Sequence, residues 1–307
     1  TPGHVYVNPG PLQLDKHWSK HAILNSVGNE SPQFTQVVGD GTPELVCTNG
    51  GAFGYATIDP QAPLGAWKFH PVSEVVAPKQ FGHGLGVGDV NNDGRLDILS
   101  KTGWYAQPAD LKGDPLWDFH PANFAQPGGA ELYAYDVDGD GDSDVITSLS
   151  AHDFGLAWHE QIQVDGEINF RPHLIMGSKP EQNPYGLHFS ELHSVALADM
   201  DGDGLKDIVT GKTYYSHHEQ STDWDAGAVV YWFGLQRTAA GGVNWVPHLA
   251  DADAGIGRQI VVSDVNADGR ADIVVGGMKG CSVLLHKTVA TDAAGWKAAQ
   301  PKRRKAD

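Results

Sequence analysis

The sequence predicts an all-β chain, a β-propeller of four-stranded antiparallel blades, and three observations carry that expectation. An acidic nine-residue motif recurs along the 307 residues, strand-length apolar runs frame each copy, and 38 Gly with 18 Pro supply many tight turns. No segment shows a long apolar period of 3.6 residues, which argues against a βαβ arrangement.

The motif reads D-x-[DN]-x-D-G-x-x-D at Asp89 to Asp97, Asp136 to Asp144, Asp199 to Asp207 and Asp264 to Asp272. A fifth, degenerate copy keeps Asp40, Gly41 and Glu44 but has Gln36 and Val38 at the first two acidic places. Counted from position 36, the copies are spaced by 53, 47, 63 and 65 residues, the length of a propeller blade. An apolar run enters each complete copy and another leaves it, as Leu85-Gly-Val and Ile98-Leu99 do. A third run follows (Gly155-Leu-Ala-Trp158, Val229 to Phe233, Cys281 to Leu285). The fourth carries an aromatic residue and a histidine: Trp18 with His21, Trp67 with His70, Trp117 with His120, Phe170 with His173, and Trp245 with His248. Those five histidines recur in register and are assigned to packing.

Residues 1–24 supply only third- and fourth-strand signals, so a half blade is expected there, in a processed or truncated chain that opens on Thr1. Repeat units follow at about 30–72, 82–122, 130–175, 188–250 and 258–287, giving one domain over 1–290 with five to seven blades. Residues 291–307 form a tail whose basic run, Lys302 to Lys305, is expected to be solvated.

Composition narrows the function. A net charge of −17 disfavours nucleic acid, and no apolar run suits membrane insertion. Cys47 and Cys281 fit no zinc-binding cysteine pattern and are expected to be buried thiols.

Alternating oxygen ligands, a glycine at the turn and a closing carboxylate form a cage for a hard cation, and calcium fits best. The expected ligands are Asp89, Asn91, Asp93 and Asp97; Asp136, Asp138, Asp140 and Asp144; Asp199, Asp201, Asp203 and Asp207; and Asp264, Asn266, Asp268 and Asp272. About four structural ions follow, with none at the degenerate copy. Loops of this kind work at extracellular calcium levels, so a secreted or periplasmic protein is expected.

These loops resemble the FG-GAP, or VCBS, repeat family of calcium-loaded propellers. A closer likeness rests on Gly82-His-Gly84, on Ala151-His152 with Trp158-His-Glu-Gln161, and on His193-Ser-Val-Ala-Leu followed by Gly211-Lys-Thr-Tyr-Tyr215. These segments resemble the propeller domain of the aldos-2-ulose dehydratase-like family. That resemblance implies a zinc ion in an active cleft and dehydration of keto-sugars.

The repeat register shows which divergent residues converge. Six places before each loop stand Glu30, His83, Ala130, His193 and Arg258, with Glu131 one place later in the third unit. After the second strands come Lys101, His152, Lys212, Tyr214, Tyr215, His217, His218 and Lys279. Equivalent positions that differ from blade to blade suit an asymmetric site. His83, His152 and His193 are the first candidates for zinc, with His188, His217 and His218 behind them. His83, His152, His193, Tyr215, Lys212 and Arg258 are the expected catalytic set for β-elimination from a keto-sugar or glycoside. Paired-carboxylate hydrolysis would fall to Glu30 and Glu131. The alternative is a module that binds carbohydrate or protein without chemistry, through an aromatic face of Trp104, Tyr105, Tyr214, Tyr215 and Trp224.

Overall fold

The acidic motifs each become the hairpin loop between the first two strands of a sheet. A computed structural model describes residues 2–13 and 15–304 and is all-β apart from short helical segments. The strands β1 (Gly3–Val7) and β2 (Ser19–Leu24) form an antiparallel pair. The first sheet holds β3 (Gln33–Thr35), β4 (Glu44–Asn49), β5 (Ala52–Thr57) and β6 (Lys68–Val75), and the second β7 (Leu85–Gly88), β8 (Asp97–Ser100), β9 (Gly103–Ala106) and β10 (Asp118–Pro121). The third comprises β11 (Glu131–Tyr135), β12 (Asp144–Ser148), β13 (Leu156–Val164) and β14 (Glu167–Met176). The fourth comprises β15 (Val195–Ala198), β16 (Asp207–Lys212), β17 (Val229–Arg237) and β18 (Val243–Asp251). The fifth has three strands, β19 (Ile260–Ser263), β20 (Asp272–Gly277) and β21 (Gly280–Leu284). Strands pair antiparallel in sequence order within each sheet.

Between sheets, β7 pairs in parallel with β11, joining the second and third sheets into eight strands. Gly86 permits this approach, because a Cβ there would stand 2.1 Å from the Leu132 carbonyl oxygen.

The second strands of the first four sheets carry adjacent apolar residues on opposite faces because both faces are covered. Ile98 packs with Val46 and Tyr55 of the first sheet, whereas its neighbour Leu99 packs with Leu132 and Val145 of the third. The same division separates Val145 from Ile146, and Ile208 from Val209. Five cores therefore link six consecutive layers, from the β1–β2 pair to the fifth sheet. The last layer keeps one face open: Val261 is 54% exposed and Met278 71%.

The closing carboxylate of each motif is buried and does backbone work. Asp144 accepts from Val137 N (2.8 Å) and Gln161 N (2.7 Å), tying the loop to the third strand. Asp97, Asp207 and Asp272 repeat the pattern, and Glu44 of the degenerate copy accepts from Val37 N at 2.7 Å. The sixth-place glycines have φ between 83° and 97°.

Four of the five recurrent histidines lie flat on third-strand aromatics directly opposite them, whereas His21 faces Val5 and stacks on no ring among the described residues. Ring centroids are 4.8 Å apart for Tyr55 and His70, 4.2 Å for Trp104 and His120, 4.4 Å for Trp158 and His173, and 4.0 Å for Trp232 and His248. Such facing pairs are what cross-strand geometry brings together.

Lys302, Arg303 and Arg304 are exposed, as expected of the tail, while one expectation, for Cys281, is corrected. The tail forms α1 (Ala293–Ala299) and then folds back, with Arg304 N donating to Pro184 O (2.8 Å) and Arg303 to Asn244 Oδ1 (2.7 Å); Lys305 lies outside the described residues. Both cysteines are free, but Cys281 is exposed because it sits on the uncovered fifth sheet, whereas burial pushes the Cys47 thiol up to about 12. Among the described residues no helix is long and apolar enough to cross a membrane.

Candidate functional site

The segments entering the first, second, fourth and fifth sheets meet at one carboxylate. Glu30 Oε2 lies 3.3 Å from His83 Nε2 and 3.2 Å from His193 Nε2, and Oε1 lies 3.5 Å from Arg258 Nη2. The His83 ring against its oxygen, helped by His193 and Arg258, outweighs burial and holds the Glu30 carboxyl down to about 2. Gln259, next in the chain, donates to the Glu30 carbonyl (3.4 Å) and to Glu131 Oε1 (3.2 Å).

His152, which follows the second strand of the third sheet, completes the cluster. Its ring centroid is 5.0 Å from that of His83 and 4.7 Å from that of His193, and those two are 5.3 Å apart. One ring nitrogen from each of the three lies within 4.8 Å of the others. Burial, ahead of the charge of its histidine neighbours, pushes His193 down to about 4 and lowers His152 as well. At neutral pH both therefore offer unprotonated nitrogens. His193 Nδ1 is buried without a hydrogen-bond partner among the described residues. His152 Nδ1 is fixed by Ser216 Oγ at 3.0 Å, and His217 packs edge-on against the ring at 4.5 Å.

Three imidazoles with an adjacent carboxylate suit a divalent transition metal, whose bonds to nitrogen are about 2 Å long. The cluster opens into a cavity of about 880 Å³ whose walls include Phe81, Tyr215, His217 and Arg258 and which runs onto the fifth sheet.

Not every expected residue is there. Lys212 is buried in an ion pair with Glu191 (Nζ to Oε2, 2.9 Å) and also donates to Ser190 Oγ (3.2 Å), away from the histidines. His188 lies against Phe154, and His218 packs with Tyr215 and Trp224. Glu131 is no cavity acid: it is buried, accepting from Val195 N (2.8 Å) and Ser194 Oγ (3.2 Å). Trp104 and Tyr105 belong to cores, so of the expected aromatic face Tyr214, Tyr215 and Trp224 remain exposed. Glu30 as the hub was not foreseen, nor were Glu191, Gln259 and Phe81. The identity of Glu30 and Arg258 as register equivalents of His83 and His193 was the available signal.

In the acidic loops, Asp136, Asp138 and Asp144 bring carboxylate oxygens within 4.8 Å of one another, as do Asp199, Asp201 and Asp203. Burial, with the charge of neighbouring acids, raises Asp138 and Asp201 and pushes Asp144 up to about 7. A bound cation would relieve that crowding. The other two complete loops place their own arginines on the fifth-place acid: Arg95 on Asp93, and Arg270 on Asp268.

No family model and no curated protein matches the chain. Among solved structures it is similar to part of the Photorhabdus luminescens Tc holotoxin pore, at 18% identity and a TM-score of 0.42 over 91% of this chain and 12% of that one. It is also similar to the V. cholerae biofilm matrix protein Bap1 (18% identity, TM-score 0.34, 76% of this chain and 33% of that one). A third likeness is to TcdB2-TccC3 (19% identity, TM-score 0.28, 82% of this chain and 14% of that one). The chain thus spans no more than 33% of the length of any of these.

Proposed function

We propose that the sheets are blades of a secreted, calcium-stabilised β-propeller of the FG-GAP type, and that its central cavity is a metal-assisted carbohydrate lyase site acting on a keto-sugar. The observation that supports this reading is the convergence of His83, His152 and His193 on one another and on Glu30. A zinc ion held by these three imidazoles supplies Lewis-acid polarisation of the sugar carbonyl when bound.

The chain's own groups do the rest. Glu30 stays ionised and orients the His83 and His193 rings, while Arg258 balances its charge. His217 and Tyr215, which line the cavity, would take the proton from the carbon beside the carbonyl and return one to the departing oxygen. The C–H electron pair becomes a C=C bond, the C–O bond at the next carbon breaks, and its oxygen leaves as water. Lys212 acts only through Glu191 and is a positioning residue.

Calcium would fill the acidic loops, most readily at 136–144 and 199–207, where three acids gather; Arg237, from the fourth sheet, reaches Asp136 at 3.6 Å but leaves Asp138 and Asp144 without a cation among the described residues. The alternative, a binding module without chemistry, draws support from the exposed cluster of Tyr215, His218 and Trp224, whose rings could stack on a sugar. Zinc-loaded protein incubated with a keto-sugar such as 1,5-anhydrofructose is expected to develop ultraviolet absorbance from a conjugated enone. His193→Ala should abolish both the signal and zinc retention. Full activity in that variant would remove His193 from the mechanism, and sugar binding without absorbance would favour the binding module.

A further inference from the structure

A second cavity, of about 390 Å³, lies between the first and second sheets and shares His83 with the histidine cluster. Its walls are apolar and aromatic: Phe53, Val72, Tyr105, Trp117 and Phe119. Phe53 and Tyr105 stand 5.5 Å apart, and Tyr105 and Phe119 4.9 Å, as a continuous aromatic surface. Its rim is apolar too, since Val76, Leu116 and Phe119 are all exposed.

Besides His83 Nε2, which faces the Glu30 carboxylate, two buried polar atoms in this lining have no hydrogen-bond partner among the described residues, Asn29 Nδ2 and Thr48 Oγ1. Asn29 cannot turn to hide its amide, because its Oδ1 already accepts from Thr48 N at 2.9 Å. Leaving such groups unpaired is costly, so they mark a place where an acceptor is expected. Beside the shared His83, Phe81 is 63% exposed and holds φ at 57°, a conformation a bulky side chain rarely adopts. It lines the larger cavity, on the loop between the two.

We propose that this pocket binds a neutral aromatic group carrying one oxygen acceptor, which Asn29 and Thr48 hold by hydrogen bonds. The apolar walls favour a flat hydrophobic ring, the two donors an acceptor, and the opposite charges of Glu74 and Lys101 in the lining a neutral ligand. The shared histidine places that group next to the metal site. The ligand class is therefore an aryl-substituted sugar, a statement whose sugar half rests on the reading above and whose aromatic half does not.

The test is calorimetric titration of 2-naphthol into the full chain, with melting temperature as the control for folding. Saturable binding is expected. Ala77→Trp, which fills the mouth of the pocket, should abolish it, and Thr48→Val should weaken it about fivefold, the loss of one hydrogen bond. Absence of binding to the unmodified chain, or full affinity in Ala77→Trp, overturns the pocket. Unchanged affinity in Thr48→Val overturns the polar anchor, and this variant decides the matter if Ala77→Trp does not fold. Failure of the enone assay with naphthol binding intact would count against the lyase reading alone.

Discussion

Replacing Glu131 by glutamine should stabilise the protein at alkaline pH, by an amount that follows from its surroundings. The side chain is buried, and burial outweighs the donated hydrogen bonds of Val195 and Ser194, pushing the carboxyl from 4.5 up to about 7. The unfolded chain gives up this proton near 4.5 and the folded chain only near 7, so the folded state holds an extra proton between those values. Stability from this group is thus fully present below the unfolded value and is lost as pH rises through the folded one. At about 1.4 kcal/mol per pH unit, the full cost approaches about 3 kcal/mol, with roughly 2.5 kcal/mol of it appearing between pH 5 and 9. Unfolding entropy of about 2.1 cal/mol/K per residue turns that into a melting shift of roughly 4 °C for a chain of this size. Glutamine keeps an acceptor for Val195 N but carries no titrating proton. Scanning calorimetry of both proteins from pH 5 to 9 should show the unmodified chain losing about that much relative to Glu131→Gln. Parallel curves would refute the assignment of a raised, buried carboxyl.

Other outcomes are equally specific. Lys212→Met leaves the Glu191 carboxylate buried without its 2.9 Å partner and should cost about 3–5 kcal/mol in denaturant unfolding, most of it recovered by adding Glu191→Gln. Excess chelator should lower the melting temperature, and Asp138→Ala or Asp201→Ala should reduce that response more than Gln36→Ala, which lies in the degenerate loop. An unchanged melting temperature in chelator would remove the case for calcium.

The sheets and their loops were legible because the turn chemistry is demanding. A glycine at the sixth place and a closing acid at the ninth satisfy that loop even where Gln36 and Val38 replace the first two acids, so each copy announces a hairpin. His83 and His193 were legible for the same reason, being the places where register-equivalent positions stop agreeing. What could not be read depended on which way a side chain turns. Trp104 and Tyr105 are adjacent, yet they enter different cores on opposite faces of β9, and nothing local distinguishes a third-strand aromatic from a rim aromatic. Lys212 ends a second strand, as the rim reading required, but its partner Glu191 lies in a preceding loop and holds φ at 59°. The closing acids were read as ligands alone. Their hydrogen bonds to third-strand amides involve residues 10 to 28 positions away, which no nine-residue pattern contains.

Each second strand but that of the fifth sheet divides its side chains between two cores, and this makes the molecule a chain of nearest-neighbour couplings. Layers in the middle are held from both sides and can open only by disrupting two interfaces, while the two end layers, the β1–β2 pair and the fifth sheet, are each held from one. Fraying should therefore begin at the ends and propagate inward, with the amides of β1, β2 and β19 to β21 exchanging before those of the middle sheets. Arg258, the cation facing Glu30, lies on the segment entering the second of those end layers. A ligand bridging the histidine cavity and the fifth sheet would cross one of the two loosest joints in the array, and its binding energy would appear chiefly as slower fraying at that end.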